Sequence, residues 1–201
     1  MKRPLSLLLP WVFACVAAAV TGDAPAIRDL DGRVRRPFQP AGKAGVVFFV
    51  LTDCPISNGY APTIASVCRE YASKGVDCTV AYEDVEAPRA VGDLNDVVRA
   101  HLAQYGYQGM PAVVDRTRAL ATFAGVTVTP EAVVVDAGGR TRYRGRIDNF
   151  YAALGKPRRQ VTVHDVRDAL DAVLEGRAVA TPRTEAVGCY IVNPDVLRDS
   201  R

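Results

Sequence analysis

Hydrophobic positions along the chain follow two periods, and the switches between them outline the fold. From Gly45 to Thr52 the run Gly-Val-Val-Phe-Phe-Val-Leu-Thr is rich in β-branched and aromatic residues, which predicts a strand buried on both faces, central in a parallel sheet. After Ile56 the apolar residues recur at Tyr60, Ile64, Val67 and Tyr71, one face of a helix that should end near Ser73-Lys74-Gly75. The same reading predicts a strand over Val76 to Tyr82, a helix over Leu94 to Tyr105, a strand over Met110 to Asp115 and a short helix over Ala119 to Phe123. Thr129-Pro130 precedes an apolar strand, Ala132 to Val135. The turn Asp136-Ala137-Gly138-Gly139 then leads into an alternating strand, Thr141 to Ile147, so these two should pair as a hairpin. Thr162, followed by Asp165, should cap an amphipathic helix that carries Val166, Leu170, Val173 and Leu174 and is closed by Gly176.

At the N-terminal side, Ile27 to Phe38 reads as a small hairpin turning at Asp31-Gly32, separated from the core by Pro37 and Pro40. Alternating strands and helices, then a hairpin and a final helix, describe an α/β protein with a central mixed sheet and helices on both faces. The domain should span residues 23–176, with 177–201 a tail that holds two prolines and no clear periodicity. The loop from Asn149 to Gln160 is of a length that is often functional.

Composition narrows the class. A chain of 201 residues with 49% hydrophobic content can bury one sizeable core. The net charge of +3 includes Lys2 and Arg3, so a chain without them carries only +1, and nothing argues for nucleic acid or an anionic membrane surface as partner. Those two basic residues precede the apolar run Leu5 to Val20, which ends in Ala17-Ala18-Ala19, the layout of a secretory signal peptide over residues 1–22. The expected location is therefore the periplasm or cell envelope of a bacterium. Pro10 and the modest apolar length argue against a spanning helix, which needs roughly 20 apolar residues. Val12-Phe13-Ala14-Cys15 resembles a lipoprotein acylation site, so an uncleaved or lipidated N-terminus is the one membrane attachment expected. Beyond the leader stand Cys54, Cys68, Cys78 and Cys189, in a compartment where disulfides persist.

Cys54 carries the chemistry. It stands between the buried strand and the helix, in Thr52-Asp53-Cys54-Pro55-Ile56-Ser57-Asn58, which puts its sulfur at a helix N-terminus. There the unpaired N–H groups and the positive end of the helix dipole favour the nucleophilic thiolate. Pro55 suits the first helical position because it has no N–H to leave unsatisfied.

Cys54-Pro55 after an apolar strand, Pro62 further along the helix, and Thr129-Pro130 before the next strand resemble the thioredoxin superfamily over most of residues 27–176. The resemblance implies a thioredoxin-like fold with an N-terminal hairpin and a helix-strand insertion, similar to the redoxin branch that includes alkyl hydroperoxide reductase and thiol-specific antioxidant proteins. It implies that Cys54 attacks disulfides and that Thr129-Pro130 forms a cis-proline loop lining the substrate groove; Pro55 is expected to contact substrate as well, and no cofactor or metal is expected. Thr-Asp-Cys-Pro-Ile-Ser-Asn, Thr129-Pro130-Glu131-Ala132 and Tyr143-Arg144-Gly145-Arg146-Ile147-Asp148 look like a group of exported bacterial redoxin-domain proteins. Two departures stand out. Ser57 occupies the place of the second cysteine of Cys-x-x-Cys, and the threonine that peroxiredoxins carry three residues before the cysteine is replaced by Leu51.

A resolving thiol must then lie elsewhere. Cys68 is roughly 20 Å along the helix from Cys54, too far for a disulfide, and faces the core with Ile64 and Tyr71, so it reads as packing. Cys78 alternates with Val76 and Val80 and also reads as buried. Cys189 follows Gly188 in the tail and is the internal partner open to Cys54; a free, intermolecular or structural role is the alternative. Asp53 reads as a proton acceptor or helix cap, Ser57 as a hydrogen-bond donor to the sulfur or a first-turn polar residue, and Arg144 and Arg146 as a solvated strand face. His101 and His164 read as structural.

The expected function is an extracytoplasmic thiol-disulfide oxidoreductase or thiol-dependent antioxidant, with protein or small-molecule thiols, disulfides or peroxides as partners. A non-catalytic binding module and a copper-handling protein are the competing classes; the latter uses a Cys-x-x-x-Cys pair, and position 58 here is Asn.

Overall fold

The computed structural model describes residues 23–84 and 92–191. The leader expected over residues 1–22 and the end of the tail lie outside the described residues. In chain order the elements are β1 (Ile27–Arg28), β2 (Val34–Arg35), β3 (Ala44–Val50), α1 (Pro55–Ala72), β4 (Val76–Tyr82), α2 (Leu94–Gln104), β5 (Ala112–Val114), α3 (Ala119–Ala124), β6 (Val128–Thr129), β7 (Glu131–Asp136), β8 (Thr141–Gly145), β9 (Tyr151–Ala153), β10 (Lys156–Pro157), α4 (Asp165–Leu174) and β11 (Cys189–Tyr190).

The five-stranded sheet has the order β5-β4-β3-β7-β8. Strand β3 lies in the middle, parallel to β4 and antiparallel to β7, and all seven of its residues are buried, as an unbroken apolar run requires. Its alternate side chains feed two cores. Val46, Phe48 and Val50 pack with Ile64, Tyr71, Val98 and Leu170 of α1, α2 and α4 on one face, while Val47 and Phe49 meet Phe38 and Leu120 on the other. The mixed α/β sheet flanked by helices matches the sequence reading, and the hairpin β1–β2 turns at Asp31-Gly32 as expected.

Three expectations are corrected. Thr162 does not cap α4: the cap position is His164, with no side-chain hydrogen bond, because Thr162 is held by Asn149 through two bonds of 2.9 and 2.8 Å. Arg144 and Arg146 are not a solvated face. Arg144 pairs with Glu131 at 3.1 Å and Arg146 with Asp165 at 2.8 Å, each acid almost wholly buried. Cys68 and Cys78 are more than packing: the crossover from β3 through α1 to β4 lays the rear of the helix over the strand, their Cα atoms come within 5.6 Å, and the two form a disulfide.

The tail folds back onto the domain. It runs beside β8, where the Arg144 N–H donates to Pro182 O (3.0 Å) and the Thr184 N–H to Arg144 O (3.1 Å). Thr184 Oγ1 lies 2.6 Å from Tyr143 Oη and accepts from the Arg146 N–H at 3.1 Å. From this anchor the tail reaches β11, which pairs antiparallel with β6, Cys189 opposite Thr129 and Tyr190 opposite Val128.

Candidate active site

The site is built where β3 gives way to α1. Cys54 itself is the N-cap of α1, with extended backbone, and its Sγ accepts the Ser57 N–H at 3.5 Å; Pro55 follows at the first helical position. The first turn of α1 holds no acidic residue, so the positive end of an 18-residue helix is left facing the sulfur.

The loop before Cys54 is clamped from two sides. The Thr52 N–H and Oγ1 donate to Asp84, just beyond β4, the latter at 2.6 Å. Burial raises the Asp84 carboxyl above its ordinary value, against the pull of the Thr52 bonds. From α1, Asn58 Nδ2 donates to Thr52 O at 3.0 Å. That fixes Asn58 Oδ1 as an acceptor, so His101 Nε2, 2.8 Å away, carries the proton. His101 Nδ1 is then the acceptor for Tyr82 Oη at 2.9 Å. Both ring nitrogens are occupied, and burial holds the imidazole neutral, its pKa pushed down to about 4. Behind them Glu83, fully buried, pairs with Arg118 at 2.8 Å.

Opposite Cys54 lies the Thr129–Pro130 turn, whose peptide bond is cis. Thr129 is fully buried, and its carbonyl oxygen sits 3.5 Å from Cys54 Sγ. Cys189 is brought to the same point by β11 and forms a disulfide with Cys54, with a Cα separation of 6.1 Å across 135 residues of sequence. Gly188 makes this approach possible: a Cβ there would stand 1.8 Å from Thr129 O. Thr129 Oγ1 donates to Cys189 O at 3.4 Å, and the Ile191 N–H donates to Thr127 O at 2.9 Å.

Of the residues singled out from sequence, Cys54, Pro55, Ser57, Thr129, Pro130 and Cys189 therefore converge. Ser57 acts differently from the expectation: its backbone N–H meets the sulfur, while its buried hydroxyl makes no hydrogen bond. Asp53 is exposed and is not the cap, since Cys54 takes that position. Sequence reasoning missed Asn58, His101, Tyr82 and Asp84, which are drawn to the loop only by tertiary contact. The segment after β8 forms a small hairpin, β9–β10, whose Tyr151 ring packs 5.5 Å from that of Tyr60 on α1. Between this hairpin and the tail lies a groove of about 360 Å³, lined among others by Val128, Leu154, Arg158, Gly188 and Tyr190.

This geometry is that of a thioredoxin-fold protein with a helix-capping cysteine and a docked tail. No family model and no curated protein matches the chain. Solved structures do. An uncharacterized conserved protein from Geobacillus kaustophilus is 26% identical, with a TM-score of 0.73 over 85% of this chain and 90% of its own. A hypothetical protein from Sinorhizobium meliloti is 28% identical, with a TM-score of 0.68 over 83% and 88%. A secreted disulfide oxidoreductase of Mycobacterium tuberculosis shares the fold at 15% identity and a TM-score of 0.51, over 76% of this chain and 96% of its own.

Proposed function

We propose that the protein is an exported thiol-disulfide oxidoreductase that cycles between a Cys54 thiolate and the Cys54–Cys189 disulfide. The observation that carries this reading is the seat of Cys54, bonded to a tail cysteine at the positive end of α1 and facing the cis-proline turn. In the reduced protein the Cys54 thiolate attacks a substrate disulfide, forming a mixed disulfide and expelling one substrate thiolate, which takes up a proton. The Cys189 thiol, losing its proton, then attacks Cys54 Sγ; the second substrate thiolate leaves, and the protein has given two electrons to the substrate. Export agrees with the leader-like N-terminus and with two disulfides among the described residues, since such bonds persist in oxidising compartments. Copper handling loses its histidine candidate on α2, because both His101 nitrogens are engaged.

The test is the pH dependence of Cys54 alkylation in the reduced protein, followed by mapping of the bond formed with substoichiometric oxidant. The expected result is thiolate reactivity well below the ordinary thiol pKa of about 8.5, and a Cys54–Cys189 crosslink. An ordinary thiol with no crosslink would leave a binding module. Run in parallel with hydrogen peroxide and with a dialkyl disulfide, the same assay separates peroxide reduction from disulfide reduction.

A further inference from the structure

We infer that reducing thiols enter this protein at Cys189, not at Cys54, so that the oxidised chain accepts electrons through its tail. The inference rests on the redox reading above and adds the sulfur that is attacked and the surface that receives the attacking thiol.

Two independent observations select Cys189. The first is access. Cys54 is 1% exposed, enclosed by the turn at Thr129, by α1 and by the docked tail. Cys189 is only partly buried, and its neighbours Gly188 and Tyr190 wall the groove beside the β9–β10 hairpin. Tyr190 is 75% exposed and Leu154, across that groove, 62%. A thiolate must reach the sulfur it attacks, and of the two residues Cys189 keeps surface open to solvent while Cys54 keeps almost none.

The second is the leaving group. Attack on Cys189 breaks the Cys54–Cys189 bond and puts the electron pair on Cys54, where the Ser57 N–H at 3.5 Å and the α1 dipole receive it. A thiol of lower pKa leaves faster. Attack on Cys54 would instead expel Cys189, which sits on a short strand with no helix N-terminus behind it. Access and leaving-group chemistry thus agree.

The step balances as R–S⁻ plus the protein disulfide giving R–S–S–Cys189 and the Cys54 thiolate. A second thiolate of the reductant then attacks the R sulfur, releasing Cys189 as a thiolate and the reductant as its disulfide. The protein gains two electrons, and the reductant, a small or peptide thiol, loses two. The oxidised substrate and the reductant are thereby handled at different sulfurs of one pair.

Glutathione mixed with the oxidised full-length chain, quenched in acid over a time series, alkylated and peptide-mapped, reads the first adduct. Extrapolated to zero time, glutathione on Cys189 with alkylated Cys54 should exceed the reverse product by about tenfold or more. Glutathione first on Cys54, with Cys189 alkylated, overturns the inference and leaves the redox reading standing. A Cys54–Cys189 bond that no concentration of glutathione or dithiothreitol opens in the folded chain overturns the redox reading itself.

Discussion

One helix carries half of each disulfide. Cys54 caps the front of α1, and Cys68 lies near its rear, bonded across the α1–β4 interface to Cys78. Reach does not separate them, because the rear pair lines a cavity of about 730 Å³ at the end of the domain where the hairpin β1–β2 packs. Polarity does. The front sulfur faces unpaired N–H groups, whereas Cys68 sits in the half of α1 whose carbonyl end disfavours a thiolate. Span differs too: closing 135 residues removes about 5 kcal/mol of chain entropy from the unfolded state, closing 10 removes about 3 kcal/mol. On the proposed function, the same bond type serves as a reactive couple at one end and a staple at the other.

The sharpest way to break the comparison is to remove the front nucleophile. Cys54→Ser should reduce disulfide exchange to the background of free thiol while leaving the rear bond intact, as a dithiol-reductant assay and thiol mapping would show. Cys189→Ser comes next. Exchange by a single sulfur survives, but mixed disulfides accumulate and turnover falls by about tenfold or more, because no internal thiol resolves them. Quenched mass spectra of the reacting protein would reveal the trapped adduct; turnover equal to wild type would remove Cys189 from the cycle.

Gly188→Ala tests the docking itself with both thiols present. The added Cβ meets Thr129 O at 1.8 Å, so β11 cannot take its register on β6. Closure of the Cys54–Cys189 bond should slow by about tenfold, an effect that needs only about 1.4 kcal/mol against the docked tail. Stopped oxidation followed by alkylation measures it, and the rear disulfide should form at its normal rate.

Acid probes the clamp behind the front cysteine. His101 is held neutral with its pKa near 4, below the unfolded value of about 6.5, so the unfolded chain binds a proton in that window and the folded chain does not. Its contribution is intact above the unfolded pKa and fades as the pH falls toward the folded one. Denaturant unfolding should lose about 2 kcal/mol between about pH 7 and about pH 5, and His101→Gln should remove that part of the slope.

Much of the sheet was legible because its strands are short apolar runs with one dominant reading; β4 falls on the expected Val76–Tyr82. The seat of Cys54 was legible from Pro55 and the strand before it. What escaped depends on contacts that leave no local mark. β11 has only two residues, and its register is set by a side chain that Gly188 lacks. Asn58 and His101 lie 43 residues apart and meet only when α2 packs beside α1. Arg144 and Arg146 alternate as solvated residues do, yet Glu131 and Asp165 draw both into ion pairs. Cys68 and Cys78 each read as core packing, and their pairing follows from the crossover geometry alone.

That last pair gives the smallest expected effect on chemistry. Replacing both Cys68 and Cys78 with serine removes a staple whose loop entropy is worth about 3 kcal/mol, so thermal and denaturant stability should fall by up to that amount. Exchange at Cys54 should remain within about twofold of wild type, since the cap, the Ser57 N–H and the cis-proline turn lie at the other end of α1. The double variant matters more than either single one, because one remaining thiol could form new disulfides. If exchange collapses while the protein stays folded at the assay temperature, the rear disulfide is part of the redox path and the division of labour along α1 is wrong. If stability falls and exchange holds, the chemistry of this fold resides where the helix begins.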